Sequence, residues 1–87
     1  MYYSVYLIIS KINNKFISYV GYTSDIKKRI NLHNNSKGAR FTKGKKWKLI
    51  YYQKYNNKSD AMKAEFKLKK NYKLRKSIKS KFIKNDK

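Results

Sequence analysis

The sequence predicts an α+β domain: a small antiparallel three-stranded sheet flanked by helices, in the order β-β-α-β-α-α. Three observations point there. Two runs rich in Tyr, Val and Ile, residues 2–10 and 16–23, are separated by Asn13-Asn14. A Ser-Asp pair occurs twice, at Ser24-Asp25 and Ser59-Asp60, each time ahead of a stretch with helical spacing. A third strand-like run, residues 47–55, lies between those two stretches.

The first two runs read as strands because β-branched and aromatic residues fit a pleated surface. Asparagines tolerate the backbone of a tight turn, so the two strands form an antiparallel hairpin. Ser24 offers a capping side chain and Asp25 a first-turn acid, starting a helix that runs to about Asn34. Residues 35–46 hold two of the three glycines and many cations, which predicts a flexible basic loop. The signal at Ser59-Asp60 predicts a helix to about Asn71. A last basic helix covers Leu74–Ile83, with Leu74, Ile78 and Phe82 at helical spacing. With neither repeat nor linker, residues 1–87 are expected to form a single domain.

A domain of 87 residues buries only ~60% of the surface its unfolded chain exposes, so large ligand cavities are not expected. The absence of cysteine excludes disulfides and thiolate metal sites. One histidine and four acids do not make a zinc site. No run approaches the ~20 apolar residues that span a bilayer. The N-terminal ten residues lack a charged leader region and read as a strand, so the expected compartment is the cytoplasm. Lys and Arg number 24, for a net charge of +20. Such a field calls for a polyanion, nucleic acid in preference to anionic membrane. AT-rich codons would enrich Lys, Asn, Ile and Tyr, but bias alone would also have kept more acids.

The acids separate cleanly. Asp25 and Asp60 sit at helix starts and Asp86 in the tail. Glu65 has no such explanation. On a helix at about 100° per residue, Ala61, Ala64, Glu65, Leu68 and Tyr72 share one face, which Met62 and Phe66 widen. The only glutamate therefore stands mid-stripe, where an unpaired carboxylate is costly. The plain account is an i,i+4 pair with Lys69; the other is a site. Arg29 and His33 lie one turn apart on the first helix, beside its buried Ile26 and Ile30. Their plain accounts are a solvated cation and a C-terminal imidazole favoured by the helix dipole. Most of the nine tyrosines pack in the sheet, but Tyr6 and Tyr19 lie on the paired strands and could meet across the hairpin.

These residues resemble the GIY-YIG nuclease family. Its two motifs stand here as Ser4-Val5-Tyr6 and Tyr19-Val20-Gly21, the second followed by Thr23, Asp25, Arg29 and His33. The loop Lys37-Gly38-Ala39-Arg40-Phe41-Thr42 and the segment from Ser59-Asp60-Ala61 through Ala64-Glu65 to Lys69-Lys70 resemble the small stand-alone bacterial branch. The likeness covers about residues 2–83. Ser4-Val5 replaces Gly-Ile and Val20 replaces Ile, and neither change removes a reactive group.

The resemblance implies a phosphodiester endonuclease acting on nucleic acid, with DNA as the expected form. Glu65 would hold one Mg²⁺ or Mn²⁺, since that cation manages with one or two carboxylates; no small-molecule cofactor is expected. Tyr6 is assigned the base, assisted by His33, and Tyr19 the orienting of water and phosphate, two roles that could be exchanged. Lys28 and Arg29 would lower the tyrosine pKa. Arg29 would also bind the scissile phosphate, and Gly21 would let the backbone approach substrate. Lys37, Arg40, Lys43 and Lys45 would contact phosphates. Relatives act in repair, recombination, restriction and mobile elements, often with an added binding domain. This chain shows none, so loose specificity or a protein partner is expected. Two other classes compete: a non-catalytic nucleic-acid-binding module and a ribosome-associated basic protein.

Overall fold

The structure, a computed structural model, describes residues 2–85; Asp86, read as a tail acid, lies outside them. Its elements follow the expected order: β1 (Tyr3–Ile12), β2 (Lys15–Thr23), α1 (Ile26–Asn34), β3 (Lys48–Tyr55), α2 (Lys58–Lys70) and α3 (Tyr72–Asn85). The strands form one antiparallel sheet in the order β2-β1-β3.

The β1–β2 connection is a two-residue hairpin loop. Asn13 and Asn14 adopt φ of 51° and 66°, the mirror-image turn whose twist matches its strands and which asparagine tolerates. The hairpin register then follows, with Tyr6 opposite Gly21 and Ile8 opposite Tyr19.

Central β1 is buried on both faces from residue 4 to residue 10. Val5 and Leu7 pack with Val20 of β2 and with Ala61 and Leu68 of α2. Tyr6 and Ile8 face the other way, packing with Trp47 and with Ile26 and Ile30 of α1. Each such side chain contributes ~1.5–3 kcal/mol by leaving water. The sheet is therefore covered by α1 on one face and by α2 with α3 on the other. A bulge interrupts the β1–β3 register between Leu7 and Ile8, beside the residues of interest, a usual place for one.

Several local expectations need correction. Asp25, not Ser24, caps α1, accepting from the Lys28 N–H at 3.1 Å. Asn57, not Ser59, caps α2, accepting from the Asp60 N–H at 2.8 Å. β3 ends at Tyr55, so Asn57 is where the backbone is still extended, as a cap requires. Met62, Phe66 and Tyr72 do not widen the buried stripe: they are 48%, 57% and 63% exposed. The sheet is too narrow to cover that flank, and the chain breaks at Asn71 before Tyr72 starts α3.

Residues 35–46 are not a free basic loop. Ser36 takes φ of 61° just past α1, and Lys37 N–H bonds back to the Leu32 carbonyl at 2.8 Å, a Schellman closure with serine where glycine is usual. The Asn34 side chain brackets the Trp47 backbone, accepting its N–H and donating to its carbonyl. Trp47 Nε1–H donates to the Thr42 carbonyl at 2.9 Å. Lys37, Arg40, Lys43 and Lys46 are exposed, Lys45 folds back onto the Phe41 carbonyl, and Thr42 and Trp47 on the inner side of the loop are buried. No helix among the described residues is long and apolar enough to cross a membrane.

Candidate active site

The site begins where Tyr6 stands opposite Gly21. A Cβ at position 21 would collide with the Tyr6 hydroxyl. Gly21 therefore makes room for the phenol. Gly21 also lines the cleft, so its expected role of letting substrate approach is separate from this one.

The Tyr6 side chain is fully buried and its hydroxyl lies 2.7 Å from His33 Nε2. His33 is equally buried, and its Nδ1 lies 2.8 Å from Thr42 Oγ1. The network assigns the protons. Thr42 has one hydroxyl proton, which it donates to the Ala39 carbonyl at 2.9 Å. Its oxygen must then accept from Nδ1–H, which leaves Nε2 bare to accept the Tyr6 O–H. His33 is thus more than an imidazole at a helix end.

Burial raises the Tyr6 pKa above its ordinary 10.0; Arg29 beside the phenol pulls it down, while Tyr19 and Glu65 push it up. Burial wins, so the expectation of a lowered tyrosine pKa is overturned. Desolvation penalises a phenolate more than one nearby guanidinium relieves it. Burial also lowers the His33 pKa below 6.5, with Arg29 adding to the effect. At neutral pH both groups are uncharged, a donor facing an acceptor.

Tyr19 projects from β2 on the same face as Tyr6. It meets His33 edge-on at 5.3 Å and stacks on Phe41 of the loop, 6.1 Å between centroids. Tyr6, Tyr19, Gly21 and Arg29 line a cleft of about 360 Å³ at the β2 edge, and Glu65 lines it from the opposite face of the sheet. That volume is at the low end for ligand sites. The Nε–H of Arg29 is buried with no hydrogen-bond partner, a state that costs ~1–3 kcal/mol. The Glu65 side chain is 19% exposed and sits 3.6 Å from Lys69 Nζ. Both accounts of Glu65 therefore coexist, an i,i+4 ion pair and a place in the cleft.

The structure does not bring every candidate into the cleft. Lys28 is exposed and contributes its backbone N–H to the Asp25 cap. Lys37, Arg40 and Lys43 are exposed, and Lys45 Nζ donates to the Phe41 carbonyl at 2.9 Å. Lys45 Nζ also lies over the Phe41 ring at 5.3 Å, and none of these cations lines the cleft. Lys58, Tyr3, Tyr22 and Ser24 line it without having been singled out. Lys58 was legible, two helical turns before Glu65 on the same face. Thr42 stood only as the end of the loop motif, and nothing among the neighbouring cations marked its hydroxyl for a place beside His33.

The chain is similar to known proteins. The family model of the GIY-YIG catalytic domain matches residues 2–79. The UPF0213 protein of Clostridium perfringens (strain 13 / Type A) is 39% identical over 85 residues, covering 93% of this chain and 89% of that protein. A UPF0213 protein of Streptococcus agalactiae serotype V is 48% identical over 48 residues, 54% of each chain. The chain thus spans about half the length of such streptococcal relatives in the matched stretch. The solution NMR structure of a UPF0213 protein from Bacillus halodurans covers 92% of this chain and 84% of its own at 29% identity, with a TM-score of 0.49.

Proposed function

Since the chain belongs to the GIY-YIG catalytic domain family, a nuclease family, we propose that it is a divalent-metal-dependent endonuclease that hydrolyses phosphodiester bonds in DNA. The observation that carries this reading is one cleft shared by both motif tyrosines, an arginine with an unpaired buried donor, and the only glutamate.

The donor set suits one hard cation. Among the described residues no three carboxylate, imidazole or thiol side chains cluster, which rules against a site needing several protein ligands and suits Mg²⁺, which keeps most of its waters. The Lys69 contact at 3.6 Å is longer than a good hydrogen bond, so the Glu65 oxygens keep open lone pairs. Glu65 is the residue that would hold Mg²⁺ or Mn²⁺, and the charge supplied there would stabilise the attacked phosphodiester.

The remaining steps belong to the chain's own groups. Arg29 gives its unpaired Nε–H to a non-bridging phosphate oxygen, satisfying a donor that the free protein leaves bare. Tyr19 and Tyr6 orient a water in line with the bond to be broken. As the water oxygen attacks phosphorus, its proton passes to the Tyr6 oxygen while the Tyr6 proton moves to His33 Nε2. The P–O3′ bond breaks, leaving a 5′-phosphate, and the 3′ oxygen takes a proton from solvent. This relay never requires a free phenolate, so the raised Tyr6 pKa is no obstacle. Bound phosphate also offsets the Arg29 charge, which adds to burial in holding the His33 pKa down. His33 thus becomes a better acceptor when substrate is present.

The cytoplasm, a role in DNA repair or recombination, phosphate contacts from the loop cations and a specificity-giving protein partner belong to the same proposal. It is tested by incubating purified protein with end-labelled DNA, with and without Mg²⁺ or Mn²⁺. Metal-dependent cleavage leaving 5′-phosphate and 3′-hydroxyl ends is expected. Cutting that survives excess EDTA overturns the metal, and binding without cutting makes the chain a nucleic-acid-binding module.

A further inference from the structure

The segment Gly38–Thr42 belongs to a loop whose cations are expected to face phosphate, yet its inner side is built around His33. A Cβ on Gly38 would overlap the imidazole at Nδ1, so position 38 closes over the ring edge. Thr42 is fully buried and its rotor is fixed from several sides. Its N–H and its hydroxyl both reach the Ala39 carbonyl, at 3.1 and 2.9 Å, and its oxygen accepts the Ala39 N–H at 3.1 Å. A hydroxyl has one proton and two lone pairs. With the proton committed to Ala39, the second lone pair takes Nδ1–H of His33.

We infer that Thr42 is a positioning residue of this site, holding His33 in the Nδ1–H tautomer so that Nε2 is open to the Tyr6 proton. The opposite tautomer would break the Ala39 hydroxyl bond. It would also aim Nε2–H at a phenol oxygen that already faces the Arg29 cation. Tyr19, edge-on to the ring, supplies no competing hydrogen bond. The residue thus acts through His33, as the partner of a metal- or proton-handling histidine commonly does. The inference rests on the nuclease reading only for its catalytic consequence; the tautomer itself is a property of the free protein.

The chain has a single histidine, so ¹⁵N NMR reports its tautomer without assignment ambiguity. At pH 8 the wild type is expected to carry its proton on Nδ1. Thr42→Ser should keep that state, and Thr42→Val, which keeps the shape and removes the hydroxyl, should move the population toward Nε2–H. In a cutting preparation Thr42→Val should lower kcat roughly 10–100-fold with KM little changed, the range for losing a histidine's orienting partner, and Thr42→Ser should restore it. A wild-type protein in the Nε2–H form overturns the inference, as does a folded Thr42→Val protein that keeps Nδ1–H. If Thr42→Val fails to fold, the wild-type spectrum still decides. If no preparation cuts DNA, the nuclease reading falls while the tautomer measurement stands on its own.

Discussion

The two walls of the cleft are built to opposite standards. The inner wall is Tyr6, backed by His33 and Thr42, which do not line the cleft. All three side chains are wholly buried and held by bonds of 2.9 Å or less, and two glycines make room for the two rings. The outer wall is α2, where Glu65 keeps some exposure, one ion pair of 3.6 Å and an exposed Lys58 for a neighbour. The difference teaches how a chain with so little core spends its packing. Proton transfer needs fixed distances and a dry surrounding, which central β1 and the sheet face under α1 supply to the proposed relay. Phosphate and cation must enter from water, so the residues proposed to receive them stand at the sheet edge.

Breaking the outer wall should have the largest functional effect and almost no structural one. Glu65→Gln keeps size and removes the charge. Metal-dependent cleavage should fall below detection, while DNA binding holds or tightens because a repelling carboxylate is gone. The surface pair with Lys69 contributes ~0.3–0.5 kcal/mol, so the melting temperature should scarcely move. A Glu65→Gln protein cutting at the wild-type rate would sink the metal assignment.

On the inner wall, Tyr6→Phe removes one hydroxyl from a general acid–base relay, which should cost ~10²–10⁴-fold in kcat. It also leaves His33 Nε2 without its donor, so stability should fall by roughly 1–3 kcal/mol, unlike Glu65→Gln. Measuring both variants by single-turnover cleavage and urea unfolding tests the contrast directly. Equal stability losses would mean that the two walls are not built differently. Gly21→Ala pushes a methyl against the Tyr6 hydroxyl. Overpacking of that kind costs ~1–3 kcal/mol, seen as a lower urea midpoint; an unshifted midpoint would show that the phenol has room to move.

The outer features were the more legible in sequence, and physics explains why. Strand runs, the Asn13-Asn14 turn and a lone Glu65 in an apolar stripe are local patterns, readable from spacing alone. So was the placing of Tyr6 and Tyr19 on paired strands, although the register sets them opposite Gly21 and Ile8 and not opposite each other. The His33–Thr42 bond was not readable. It joins a helix end to a loop nine residues on, and nothing in a run of lysines marks the one hydroxyl that turns inward. The sign of the Tyr6 shift was misjudged for the same reason. Charge is counted from composition, whereas desolvation depends on packing that only the fold reveals. The caps moved from Ser24 to Asp25 and from Ser59 to Asn57 because several good acceptors stand in a row and strand length selects among them.

A subtler contrast lies in salt dependence. If the exposed loop cations contact phosphates, log affinity should fall linearly with log salt, by ~0.7–0.9 per neutralised phosphate. Changing Arg40 and Lys45 to Gln should reduce the slope by up to two such contacts, with Lys45 contributing less because its ammonium is engaged by the Phe41 carbonyl. An unchanged slope would move the binding surface to α2 and α3.

The smallest expected effect is a pH window of stability, and it belongs to the inner wall alone. His33 has a folded pKa below its unfolded 6.5. Between those two values the unfolded chain binds a proton that the folded one refuses. The stabilisation is therefore fully present above about pH 6.5 and is lost as the pH falls from there through the folded value. Tyr6 is shifted the other way, above its unfolded 10.0. Its contribution is fully present below pH 10 and is lost as the pH rises from there through the folded value. Stability should therefore crest between about pH 6.5 and 10, with a shoulder on the acid side well above the ~4 at which unperturbed carboxylates titrate. Urea midpoints measured at half-unit steps from pH 5 to 8 would reveal that shoulder, and His33→Asn should flatten it. A wild-type midpoint that stays level down to pH 5 would mean that His33 accepts a proton freely in the fold. Nε2 could not then be the bare, buried acceptor that the relay from Tyr6 requires.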